Sequence, residues 1–144
     1  MPSVSFLRGG SMAEIDIDDL LWLALCLYHE ARGESLEGQI AVCHVILNRA
    51  DRHGPPLPVK DVILKPMQFS WANHGARPAI RDYQALIDCA KAAETCRHRR
   101  RHNDDFFEGA DHYYASSIEP PAWAKDMTMV KKVGRHIFFR SRQG

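Results

Sequence analysis

"LLWLALCLYHEARGE", residues 20–34, sets an almost unbroken apolar run against a sudden cluster of charge. A helix that is apolar on most of its faces is buried on most of them. The run therefore predicts a central helix over about residues 19–32. Asp18 or Asp19 serves as its N-cap, with acidic side chains near the positive end of the helix dipole, and Gly33 ends it. Glu30 then falls in the last turn of a core helix, which leaves two readings. Either the helix reaches solvent there, or Glu30 is a carboxyl group held half-buried for acid–base work. Partial desolvation and the negative helix end both disfavour the anion. Those are the conditions under which a glutamic acid stays protonated and donates to a leaving oxygen.

Outward from this helix, Ser35 caps a second one, "LEGQIAVCHVILNRA", with Leu36, Ile40, Cys43 and Leu47 as its apolar stripe. "HGPPLP" breaks the chain, and Val59 to Leu64 predicts a short helix halted before Pro66. "MQFSWANHGARP" reads as an irregular loop with exposed aromatics. Ile80, Tyr83, Ile87 and Ala90 mark a further amphipathic helix that ends in the basic run "RHRRRH". "HYYAS" and "RHIFFR" have strand character, and "PPAWAKDMTMVKKVG" between them reads as a loop followed by a short helix or turn. The fold class expected is α+β, mainly helical, with a small β element in one domain over residues 18–144. Residues 1–17 are expected to form a tail, with Met12 as an alternative start.

The 144 residues suffice for one hydrophobic core, and 45% hydrophobic against 26% charged residues argues against disorder. A net charge of +1 gives no electrostatic case for a nucleic-acid partner. No apolar run is long enough for a membrane span, and the N-terminal stretch lacks the apolar centre of a secretory signal, so the expectation is a cytoplasmic chain without stable membrane insertion. Cys26, Cys43, Cys89 and Cys96 form no C-x-x-C pair. They read as buried thiols, with disulfides as the alternative.

The chemistry narrows by elimination. His29 and Glu30 invite a zinc-protease reading, but the second histidine one turn on is missing, because Gly33 and Glu34 stand there. There is no G-x-S-x-G elbow and no Gly-rich phosphate loop. No metal or other cofactor is implied, and carboxylate acid–base chemistry is what remains.

"YHEARGESLEGQIAVCHVILNRA", "VILKPMQFSW", "ADHYYASSIEPPAWAKDM" and "VGRHIFFR", in that order, resemble the SleB-type cell-wall hydrolases known from spore-cortex-lytic enzymes. The resemblance covers about residues 19–140. It implies a lysozyme-like fold with the acid glutamate at the end of a core helix, and cleavage of the glycan strands of peptidoglycan. It makes Glu30 the catalytic acid/base, with Glu34 in a supporting or alternative role. It puts Tyr113 near Glu30, with Tyr114 alongside. Gln68, Ser70 and Trp71 fall in a loop that would line the sugar cleft, while Phe69 plugs the core. Gln39, Asn48 and Arg49 fall in the matched second helix, as structural residues or sugar contacts, and Trp123 fits core or cleft.

Two stretches depart from the pattern. "FFEGADHYYA" replaces the family's usual Pro–Thr–Gly–Ala turn, and "CRHRRRHNDD" is distinctive, either a solvated helix end or an attractor of anionic polymers. With one glutamate identified, a single-acid mechanism fits better than a two-carboxylate one. That expectation is lytic transglycosylation, with a hydrolytic muramidase or glucosaminidase, or a non-catalytic peptidoglycan-binding module, as the alternatives. A small, monomeric catalytic domain stored in the cytoplasm and later released to the wall suggests a phage or prophage endolysin, with a bacterial housekeeping enzyme as the rival.

Overall fold

The first helix, α1, spans Ile17–Ala31 and buries Leu23, Cys26, Leu27 and Tyr28 in the centre of the molecule. In this computed structural model, residues 16–52, 54–66, 68–75, 78–102 and 106–142 are described, so residues 1–15 of the expected tail lie outside the described residues. Asp16, rather than Asp18 or Asp19, is the N-cap: its carboxylate accepts from the Asp18 backbone N–H at 2.9 Å. Asp16 and Ile17 thus belong to the folded domain. Asp19 instead receives the backbone N–H of Val59 at 3.1 Å and so anchors the next short helix.

Helix α2 (Leu36–Asp51) starts at Ser35, whose side chain accepts from Gly38 N, and is buried continuously from Gly38 to Leu47. Of its expected stripe, only Leu36 is exposed, at the helix start. Helix α3 (Val59–Leu64) follows, then a 3₁₀ segment at Ser70–Gly75 and helix α4 (Tyr83–His102). Helices α1 and α4 run antiparallel. The Tyr28 hydroxyl accepts the backbone N–H groups of Arg81 and Asp82 at one end, and Arg97 lies 3.9 Å from Asp19 at the other.

Helix α4 corrects an expectation. Its buried face is Cys89, Ala92, Ala93 and Cys96, whereas Tyr83 and Ile87 are 70% and 48% exposed. Small side chains let it lie close against α1, so size, not hydrophobicity, selects the inward face. All four cysteines are buried free thiols. The basic run is largely neutralised, with Arg99 on Glu37 at 3.1 Å and Arg100 on Asp51 at 2.7 Å.

The β element has three strands, β1 (His112–Ala115), β2 (Thr128–Val133) and β3 (His136–Arg140), antiparallel in the order β1-β3-β2. Strand β2 was expected to be a helix or turn. Its pairing with β3 is interrupted by a bulge between Met129 and Lys131, which hides the two-residue period. The register aligns Tyr113 with Phe138 and Lys131, and His112 with Phe139 and Met129. Phe138 is fully buried and turns the first set toward the helices. On the opposite face Trp123 touches His112, Tyr114 and Phe139 at ring separations of 5.0–5.8 Å, while Met129 stays exposed.

Candidate active site

Glu30 sits in the last turn of α1, partly buried, and the hydroxyl of Tyr113 donates to its Oε1 at 2.5 Å. Burial raises the Glu30 pKa above the usual carboxylate range, while the Tyr113 hydrogen bond and the positive charge of Arg49 work in the opposite direction. Burial, followed by the nearby Glu30 charge, pushes the Tyr113 phenol well above its ordinary value. The phenol therefore remains a hydrogen-bond donor. The arrangement is a carboxyl that can hold a proton, give it up, and be stabilised as an anion by a fixed donor.

Tyr113 reaches Glu30 because α2 grips the chain ahead of β1. Asn48 donates from Nδ2 to the carbonyls of Phe106 (3.0 Å) and Ala110 (2.8 Å), and Arg49 donates from Nε to the Asp111 carbonyl (2.7 Å). Phe106, Phe107 and Glu108 have φ of 47°, 58° and 53°. Non-glycine residues adopt this left-handed region at a cost, which these bonds help to offset. The Asp111 side chain completes the anchor, accepting from Arg52 (2.6 Å), from Ser141 Oγ (2.5 Å) and from the Ser141 backbone (2.9 Å). His136 stands edge-on to the Tyr113 ring at 5.0 Å, and burial lowers its pKa below the ordinary value of 6.5, against the pull of Glu34.

The other expected site residues fall in different places. Glu34 accepts from Arg135 at its backbone N–H (3.1 Å) and Nε (2.8 Å), with its side chain almost wholly covered. Burial raises its pKa, but these bonds and His136 outweigh that and leave it below the usual range. Glu34 is therefore held as an anion that clamps the β2–β3 turn to the start of α2. Gly134 in that turn has φ +60°, and a Cβ there would collide with Glu34 Oε1. Gln39 closes the same corner, donating to the Ala31 and Glu34 carbonyls.

Tyr114 lies on the opposite face of β1 from Tyr113, stacked on Phe139 and beside Trp123. Alternation along a strand forbids both tyrosines from flanking Glu30. Trp123 likewise packs on that outer face. Trp71 is 8% exposed, not an exposed aromatic, and its ring stacks on His29 at 4.5 Å. That contact takes a ring face that was expected to meet sugar. Phe69 is buried, as a core plug should be. Gln68 and Ser70 are exposed, and Gln68 Oε1 accepts from Arg49 at 2.9 Å.

Comparison with known proteins follows the same lines. Residues 33–139 match the Cell Wall Hydrolase family profile, which contains Tyr113 and begins just after Glu30. The chain is 31% identical over 121 residues to the spore cortex-lytic enzymes of Halalkalibacterium halodurans and Bacillus subtilis, covering 84% of this chain and 34% and 37% of those proteins. It thus spans about a third of the length of these relatives. The fold superposes on the catalytic domain of the Bacillus cereus SleB protein with a TM-score of 0.70 at 27% identity, covering 92% of this chain and 100% of that one. It superposes on the catalytic domain of the germination-specific lytic transglycosylase SleB of Bacillus anthracis with a TM-score of 0.68 at 26% identity, covering 89% and 98%.

Proposed function

The chain belongs to the cell wall hydrolase family, and from that premise we propose that it cleaves the glycan strands of peptidoglycan with Glu30 as its acid. The observation that carries this reading is the hydrogen bond from Tyr113 to a Glu30 carboxyl at the end of an apolar helix. Glu30 protonates the leaving glycosidic oxygen as the bond from that oxygen to the anomeric carbon breaks. The 6-hydroxyl of the same muramic residue attacks the anomeric carbon, and its proton returns to the Glu30 carboxylate. The products are a free 4-hydroxyl and a 1,6-anhydro end, so the reaction is lytic transglycosylation.

Two features favour this over a two-carboxylate hydrolysis. Glu34 is committed to Arg135, and Asp111 is committed to Arg52 and Ser141. Of these three carboxylates, Glu30 alone is left to serve both proton transfers, which an internal nucleophile permits. Glu30→Gln is expected to fold and to lose about 10²–10⁴ in lytic rate on purified peptidoglycan. Mass spectrometry of the wild-type digest should find ends one water lighter than hydrolysed ones. A fully active Glu30→Gln protein would sink the assignment, and hydrolysed ends alone would make the enzyme a muramidase or glucosaminidase.

The biological part of the proposal is an endolysin of a phage or prophage, held in the cytoplasm until the inner membrane opens. Four buried free thiols support storage in a reducing compartment. Expression should be tolerated and lysis should follow membrane permeabilisation. Lysis on expression alone would count against it.

A further inference from the structure

Arg49 joins the strand, the loop and the acid of the site. It leaves α2 partly buried and donates from Nε to the Asp111 carbonyl, two residues before Tyr113. It donates from Nη1 to Gln68, and its guanidinium lies over the Phe69 ring at 5.6 Å. The planar fork therefore fixes both the entry to β1 and the loop that begins at Gln68. Its charge is felt at Glu30, at Tyr113 and at Cys26. Burial weakens its hold on its own proton, partly offset by Tyr113, but a guanidinium in a protein remains a cation. A partly buried charge is costly unless it is paired; among the described residues no carboxylate forms a salt bridge with Arg49, and the Asp111 side chain is already taken by Arg52, Ser141 and His112.

We infer that Arg49 is a positioning and charge-compensating residue for the reaction, holding Tyr113 in reach of Glu30 and stabilising the carboxylate that Glu30 becomes when its proton leaves. The inference rests on Glu30 being the acid. In the low dielectric behind the site, a fixed cation counts for far more than it would in water. It acts when the anion forms, which is the moment of glycosidic cleavage. The groups facing Glu30 are Tyr113 from β1, Arg49 from α2 and Cys26 from its own helix. Behind them, Arg52 repels Arg49 and Asp111 attracts it, and His136 faces Tyr113. Of all these, Arg49 is the only cation that acts directly on Glu30.

The test reads Glu30 without substrate. In uniformly ¹³C-labelled protein, the Glu30 carboxyl resonance, assigned through its loss in Glu30→Gln, is titrated in wild type, Arg49→Gln and Arg49→Lys. Arg49→Gln should move the Glu30 midpoint to higher pH and lower the lytic rate about 10²-fold. Arg49→Lys keeps a cation without the fork. It should titrate nearer to wild type, yet lose about tenfold or more in rate through misplacement of Tyr113. An unmoved midpoint in folded Arg49→Gln overturns the charge role, and a wild-type rate in Arg49→Lys overturns the positioning role. Should Arg49→Gln fail to fold, Arg49→Met, which keeps the stem without the charge, takes its place, and an unmoved Glu30 midpoint there overturns the charge role. Failure of Glu30 as the acid would show separately, as activity retained in Glu30→Gln.

Discussion

The hydroxyl of Tyr113, on the edge strand β1, meets the carboxyl of Glu30, at the end of α1, across 83 residues of chain. The contact joins a helix built for burial to a strand held by α2, and neither residue could reach the other without that scaffold. Its direction is fixed by the phenol's raised pKa: the phenol gives and the carboxyl receives.

Tyr113→Phe removes the donor that favours the Glu30 anion. Because that bond lowers the Glu30 pKa, its loss should move the alkaline limb of the pH–rate profile to higher pH. Loss of a hydrogen bond to a charged group should also slow lysis about 10²-fold. Turbidity loss of purified peptidoglycan, followed across pH, reads both effects.

Glu30→Gln should be more stable than wild type near neutral pH. The folded carboxyl has a raised pKa, so its stabilising contribution is complete below the ordinary value of 4.5 and is lost as pH rises through the folded value. Glutamine has no such loss and can still accept from Tyr113. The gain in melting temperature should grow as pH rises from 4.5 and vanish below it.

Asp111 has the opposite sign. Burial works to raise its pKa, but bonds from His112 and Ser141 bring it down to about 2. Its contribution is present above 3.8 and disappears as pH falls through about 2. Asp111→Asn should cost about 2 kcal/mol at pH 7, and the two proteins should converge in urea midpoint as pH drops across that window.

The Glu34 clamp should matter for stability rather than chemistry. Glu34→Gln is expected to keep lytic activity within about threefold while losing about 1–2 kcal/mol, since the Arg135 contact loses its charge. Gly134→Ala should be destabilised too, from both its φ of +60° and the collision with Glu34. Thermal melts with parallel activity assays separate the two consequences.

Much of the scaffold was legible because it is written locally. The apolar run of α1, the Ser35 cap of α2, the proline-bounded α3 and the strands around Tyr113 and Phe138 all follow from short-range patterns. The misreadings share a cause: the decisive contact is distant in sequence. In α4 the buried face is made of alanine and cysteine, so the larger Tyr83 and Ile87 misled. Trp71 looks exposed until His29 covers it, and the supporting or alternative roles of Glu34 stay open because the sequence does not show its partner, Arg135, 101 residues away. Tyr114 could have been placed correctly, because the two-residue period of a strand already separates it from Tyr113. Arg49 carried a signal too: a lone arginine in the apolar stretch "VCHVILNRA" must find partners inside the fold.

The grip of Asn48 and Arg49 on residues 106–111 also sets an order in time. Those bonds close loops of 58 to 62 residues, and such closures come late relative to helix formation. Helices can therefore be complete while Tyr113 is still remote from Glu30. During refolding, helical signal should recover before lytic activity. A nascent or half-folded molecule would then be a helical protein without a working acid.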